Sequence, residues 1–433
     1  MQTASRTDGF KLPFQPTAAQ SITTSSSINT QMNARTWKIS CILALLLLIV
    51  VTCRYADKIG AMSPNPTSQQ GHFSTLTDSI FIPFIYEFSI QHEPQVMCTI
   101  QGVKIEMPVD TGSTGLLIGS PILPNISSSI GRPAHHFFTS SKILYVGRLV
   151  ELPVSFQGEA GSHATATVPV LIVDKSWRCP AYDPEKDQFE CPPGPNGEAP
   201  VERDTSYITY MGVGFGRNQP RDGMSFGMPR LNPFLNIHTL DGSSVSMRTG
   251  YIVSKAGVQL GLTTENTRNF EFTDLEPGVA HDQDPRDWTM ASMCFTANGG
   301  GQSCGSALVD TGISQMYLRP NQGVAIPTVQ VRNPNKNGNA QWVKRVTPGT
   351  DVVIGFPSLD KPVVLQSLVV GEGPSTSPSA VIPLNQTAPP YINTGRSFLF
   401  DYSIAFDAVG GRLGFRAERR LSGSNKSPDS SVL

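Results

Sequence analysis

The sequence predicts an all-β chain, and three observations carry that expectation. Short apolar runs alternate with polar residues at 81–90, 96–109, 149–156, 166–173 and 352–356, near the two-residue period of strands. Few stretches repeat at the 3.6-residue period of a helix. Gly (39) and Pro (35) punctuate these runs throughout the 433 residues, as turns between many short strands require.

Composition narrows the function classes. Hydrophobic residues make up 39% of the chain, enough for a sizeable core, and the length suits one large bilobal domain. Only 15% of residues are charged and the net charge is -1, so nothing points to nucleic acid as a partner. The mean hydropathy is slightly negative, which excludes a polytopic membrane protein.

The chain reads as a series of segments. Residues 1–36 are rich in Ser, Thr, Gln and Asn without an apolar period, and are expected to be disordered. Residues 37–53 hold an uncharged run that starts at Ile39, after Arg35 and Lys38 and before Arg54. As a helix, those roughly 15 residues span about 22 Å, short of the roughly 30 Å hydrocarbon core. They fit the apolar core of a signal peptide or a single-pass signal-anchor, and both send the bulk of the chain out of the cytosol. Residues 54–78 read as a linker, with Ser63-Pro64-Asn65-Pro66 at its centre. The β-rich region follows and divides into expected lobes at 79–264 and 265–417; residues 418–433 form a polar tail. Asn125, Asn385 and Asn425 each begin an acceptor triplet for N-glycosylation, in keeping with a luminal, extracellular or surface-anchored domain.

The cysteines agree with that compartment. Of seven, Cys41 and Cys53 lie in or beside the apolar run. Cys179 and Cys191 flank a loop containing Pro and Asp, and Cys294 and Cys304 flank the Gly-rich turn 297–301. Each pair is near enough in sequence to close a small loop and is expected to be a disulfide. Cys98 is left over. No Cys-x-x-Cys or His cluster has zinc spacing, so neither a metal site nor another cofactor is expected.

The strongest feature is a repeat. Val109-Asp110-Thr111-Gly112-Ser113-Thr114 recurs as Val309-Asp310-Thr311-Gly312-Ile313-Ser314, with the aspartates 200 positions apart. In both copies an apolar strand enters the motif, and an apolar stretch leaves it at 116–118 and 316–318. One such tripeptide is an ordinary turn; two in matching strand contexts are hard to obtain by chance. Two carboxylates about 3 Å apart cannot both ionise and so share one proton. Such a pair can activate a water and polarise an amide carbonyl. Gly112 and Gly312 let the backbone turn tightly behind each Asp. Thr111 and Thr311 can bond across to the opposite loop, and Ser113 and Ser314 offer hydroxyls to support the carboxylates.

Taken together, residues 79–417 resemble the pepsin-like (A1-type) aspartic peptidases. Further motifs carry the resemblance: Trp288 ahead of a Gly-rich turn and the second Asp; Gly212-Val213-Gly214-Phe215-Gly216 and Thr394-Gly395-Arg396-Ser397-Phe398-Leu399, like the strands that thread behind the catalytic loops; and 402–407 with 411–415, like the closing hairpin. The resemblance implies a bilobal fold with a cleft between two β lobes. It also implies aspartic endopeptidase activity on polypeptide substrates, inhibition by pepstatin-type peptides, and a monomer.

The chain departs from that family in places. Ile313 stands where a hydroxyl residue is usual, and Leu117 where a Trp is usual. The substrate-covering flap is expected near 137–147, with Phe138 or Tyr145 in the place of its Tyr. Residues 54–78 carry few basic residues and are short for an inhibitory propeptide. Ile313 and the flap are changes that a non-catalytic pepsin-fold binding or inhibitor-like protein tolerates, which is the competing expectation.

Overall fold

The two-residue alternation anticipated in the sequence appears in the strands of the first sheet. In Gln95–Ile100 every second residue is buried, and the strand pairs antiparallel with Val103–Pro108. The computed structural model describes residues 76–194, 196–217, 227–334, 340–371 and 376–418. The expected segments 1–36 and 37–53, nearly all of 54–78 and of the tail 418–433, the Asn425 triplet, Cys41 and Cys53 lie outside the described residues. No helix among the described residues is long and apolar enough to cross a membrane. Apart from five short 3-10 turns, the regular structure there is strand.

The ten strands of the first sheet run from Gln95–Ile100 to Ser243–Ser244 in sequence. Its longest members, Ile143–Gln157 and His163–Arg178, pair along their full lengths. A seven-stranded sheet forms the second lobe, from Ala291–Ala297 to Tyr391–Asn393. A six-stranded sheet combines Ile80–Pro83, Gly250–Val253, Gly257–Leu260 and Glu271–Asp274 with the C-terminal hairpin, Tyr402–Asp407 and Arg412–Ala417. The closing hairpin therefore pairs with Gly250–Val253 rather than with the second lobe's sheet.

Burial follows this layering. Thr114–Gly119, the strand leaving the first Asp motif, is buried at all six positions because it lies between a parallel neighbour, His163–Arg178, and an antiparallel one, Thr209–Val213. Arg248 and Arg412 both clamp Asp407, itself fully buried, at 2.9 Å and 2.7 Å, tying the hairpin to the strand beside it. Trp288 lies just outside any strand, in an isolated bridge with Pro277, and its Nε1 donates to the Ala408 carbonyl at 2.9 Å.

Both expected disulfides are formed. Cys294 and Cys304 are directly opposed residues of the antiparallel pair Ala291–Ala297 and Ser303–Leu308. Cys179–Cys191 closes the loop beside Phe137, Leu144 and Tyr182. Cys98 is a free, buried thiol, which burial pushes up to about 12. Asn125 and Asn385 are exposed.

Candidate functional site

Each Asp motif sits at the end of a strand and beside a second strand that threads behind it. In the first lobe Asp110 bridges Gly212 in parallel, and its carbonyl accepts from the Val213 N–H at 2.7 Å. In the second, Leu308 pairs in parallel with Asn393, and its carbonyl accepts from the Thr394 N–H at 2.9 Å. The two loops are thus held by the same device, as the repeated sequence anticipated.

The two threonines lock the loops to each other. The Thr111 N–H donates to Thr311 Oγ1 at 3.0 Å, and the Thr311 N–H donates to Thr111 Oγ1 at 3.1 Å. Thr111 Oγ1 donates to the Val309 carbonyl at 2.6 Å, and Thr311 Oγ1 donates to the Val109 carbonyl. Because all four groups are buried, leaving any unpaired would cost about 1–3 kcal/mol.

This lock sets Asp110 and Asp310 side by side, each packed against the glycine of the opposite loop and each only 7% exposed. Burial raises the Asp310 carboxyl above the usual carboxylate range, and the charge of Asp110 raises it further. Donors from Asn393 and the Gly312 N–H oppose that rise. One proton between two acids is the expected state of such a pair. The glycines are what allow the approach. A Cβ on Gly312 would lie 2.5 Å from Asp110 Oδ1, and one on Gly112 would overlap the Asp310 carboxyl.

The supporting donors differ from the sequence expectation on one side. Ser113 Oγ reaches Asp110 Oδ2 at 2.5 Å, while the Gly112 N–H takes Oδ1 at 2.6 Å. Ser314 does not reach Asp310: its hydroxyl meets Ser379 at 2.8 Å on the surface, because it lies one position beyond the equivalent of Ser113, where Ile313 stands. The donor missing at Ile313 comes from Asn393, whose Nδ2 lies 2.6 Å from Asp310 Oδ2.

Three residues complete the site: two outside every motif quoted from the sequence, and one, Arg396, quoted there without a role at the acids. The Tyr210 hydroxyl donates to Asp110 Oδ2 and also contacts Ser113 Oγ. Asn393 is the second. Arg396, 3% exposed, donates from Nη2 to the Gly312 carbonyl at 2.9 Å and lies 3.9 Å from Glu93. Burial lowers the Arg396 guanidinium from its usual value, while Glu93 and both aspartates favour its charge. Tyr210 and Asn393 share a positional signal: each stands two residues before the glycine of its threading strand, Gly212 or Gly395.

The expected flap is a hairpin, Arg132–Phe138 paired with Ile143–Gln157. Phe138 packs edge-on against Tyr210 with ring centres 4.8 Å apart, and against Tyr145 at 5.7 Å. Tyr145 instead turns its hydroxyl to Arg203, 3.5 Å away. Leu117 is fully buried beneath this hairpin with Leu149, Leu171 and Ile208. A pocket of about 520 Å³ opens beside Thr139 at the hairpin tip, reaching Ser306, Arg319 and Tyr391. Among the described residues no group of three His, Cys, Asp or Glu side chains is arranged to hold a metal.

No family model matches the chain, and no curated protein matches it. Among solved structures, the basic 7S globulin from soybean is similar at 12% identity and a TM-score of 0.44, covering 79% of this chain and 97% of that one. The sheets, the lobes and the threading strands described above make this chain an all-β, bilobal protein.

Proposed function

We propose that the chain is an aspartic-type endopeptidase that hydrolyses peptide bonds at acid pH through Asp110 and Asp310. The observation that carries this reading is the side-by-side placement of two buried carboxyl groups from loops 200 residues apart, one of them raised by burial and by its neighbour's charge. The ionised member takes a proton from a water held between the two, and the resulting hydroxide adds to the carbonyl carbon. The protonated member gives its proton to the carbonyl oxygen. The tetrahedral gem-diol then collapses as a proton passes to the amide nitrogen and the C–N bond breaks. General acid–base assistance of this kind contributes about 10²–10⁴-fold per group.

Two disulfides support a protein that works in an oxidising compartment, secreted or on the luminal side of the secretory pathway. Exposed Asn125 and Asn385 favour glycosylation there. The pocket beside the hairpin tip has room for a polypeptide side chain.

The test uses the full chain and a denatured globular protein as substrate. Cleavage is expected between about pH 2 and 6, blocked by pepstatin. Asp110→Asn and Asp310→Asn should each lower kcat/KM by at least about a thousandfold. A folded parent that is inert across that range would replace this reading with that of a non-catalytic binding protein.

A further inference from the structure

The two carboxyl groups are held unequally, and two of the three side chains responsible lie outside the Asp motifs. Asp110 Oδ2 accepts from two hydroxyls, Ser113 Oγ and the Tyr210 phenol. Asp310 Oδ2 accepts from a single amide, Asn393 Nδ2 at 2.6 Å. Both Oδ1 atoms accept only from the N–H of their own loop's glycine, at 2.6 Å for Gly112 and 2.9 Å for Gly312. The donors Tyr210 and Asn393 occupy the same place on two equivalent strands, two residues ahead of Gly212 and Gly395. One lobe has filled that place with a phenol and the other with an amide.

Neither donor is free to turn away. The Asn393 Oδ1 accepts from the Gly395 N–H at 2.9 Å, so its amide is oriented and presents Nδ2 to Asp310. An amide nitrogen has no acceptor capacity, so Asp310 Oδ2 meets Asn393 as the acceptor. The Tyr210 ring is pinned by the Phe138 edge, 4.8 Å away, and its strand pairs with Leu117. Two hydroxyls directed at one oxygen fix the orientation of the Asp110 carboxyl group.

We propose that Tyr210 and Asn393 are positioning residues of the carboxylate pair: each donates to an Oδ2 atom, and together they orient the two carboxyl groups and set the pH range over which the pair shares its proton. The proposal rests on the hydrolytic reading, in which the pair takes a proton from water and gives one to the carbonyl oxygen. Phe138 packs on Tyr210, so the hairpin bears on Asp110 through that ring.

The groups that face the pair come from every element around it. They are Tyr210 on Thr209–Val213, Asn393 on Tyr391–Asn393, Arg396 on the 3-10 turn Arg396–Phe400, Glu93 ahead of Gln95–Ile100, and Tyr317 on Met316–Arg319. Arg396 and Glu93 lie close to the pair, but neither donates to an Oδ2 atom; the donors there are Ser113, Tyr210 and Asn393. The Tyr210 phenol is raised far above its usual range, by burial first and then by Asp110, so it remains a donor across the acid and neutral range.

The test is a titration of the full chain with ¹³C-labelled Asp carboxyl groups, which needs no activity. Tyr210→Phe keeps the ring and removes only the hydroxyl. It should raise the lower apparent titration of the pair by about one to two pH units. Asn393→Leu should raise the upper one. Ser113→Ala removes the other hydroxyl on Asp110 Oδ2 and should move the lower titration in the same direction; if one strand variant does not fold, the other carries the test. In activity, the acid limb of kcat/KM for Tyr210→Phe should move up by the same interval. That is a tenfold to hundredfold loss below the parent's acid midpoint, recovered at higher pH. Folded variants whose pair titrates within about 0.3 units of the parent would overturn the proposal, because a tyrosine that only fills space leaves the titration in place. Shifts of the expected size in a protein that cleaves nothing would keep the positioning role and refute the hydrolase. Cleavage by the parent with unshifted variants would do the reverse.

Discussion

Replacing Gly312 by alanine isolates the close approach of the two loops. Gly312 is not among the glycines with positive φ, so an alanine there meets no backbone strain. Its Cβ would instead lie 2.5 Å from Asp110 Oδ1 and 2.7 Å from its Cγ. Ordinary contact begins near 3.4 Å, so the carboxyl must retreat by about 1 Å. A displacement of that size in a catalytic group costs about 10²-fold. The lock through Thr111 and Thr311 resists a shift of the loops as bodies, so the side chain has to move. We expect Gly312→Ala to lose about 10²-fold or more in kcat/KM on a peptide substrate at acid pH, while near-UV dichroism and the thermal midpoint change little. A folded Gly312→Ala retaining more than about a third of the parent's kcat/KM would refute the reasoning, because the collision would then have been relieved without moving the acid.

Two further perturbations probe the frame around the site. Asp407 is fully buried and accepts from Arg248, Arg412 and the Gly410 N–H, so Asp407→Ala removes a carboxylate that two buried guanidinium groups share. Urea unfolding should show a loss of about 3–5 kcal/mol, and a loss under about 1 kcal/mol would contradict the clamp. On the hairpin, burial, with a smaller contribution from His135, lowers His136 from 6.5 to about 3. The unfolded chain therefore takes up that proton at a pH where the folded one does not. The stability carried by the neutral ring is complete above about pH 6.5 and is lost as the pH falls toward 3. The thermal midpoint of His136→Phe should fall less steeply than the parent's over that window, and parallel curves would remove His136 from the acid response.

Much of the molecule was legible in the chain itself. The two Asp-Thr-Gly copies announced themselves because each motif needs its own local sequence: a strand, a glycine that permits close approach, and a threonine that reaches across. The disulfides were readable because only short loops separate Cys179 from Cys191 and Cys294 from Cys304. Ser314 misled because a hydroxyl near a carboxylate in sequence need not lie near it in space: one residue along a turn moves it from Asp310 to Ser379. Asn393 and Tyr210 escaped notice because they lie 83 and 100 residues from the acids they hold and share no residue type. Of the two flap candidates, Phe138 packs on Tyr210 and Tyr145 turns its hydroxyl to Arg203, contacts that pairing with distant strands sets and neighbouring residues do not.

The sequence by itself determined the β architecture, the doubled acid loops and the glycines that let them meet, because period, turn chemistry and close approach are written in neighbouring residues. Which side chains complete each carboxylate was decided only in the tertiary structure. Those donors arrive through parallel pairing with strands from far along the chain, and the register of that pairing is a property of the packed sheets.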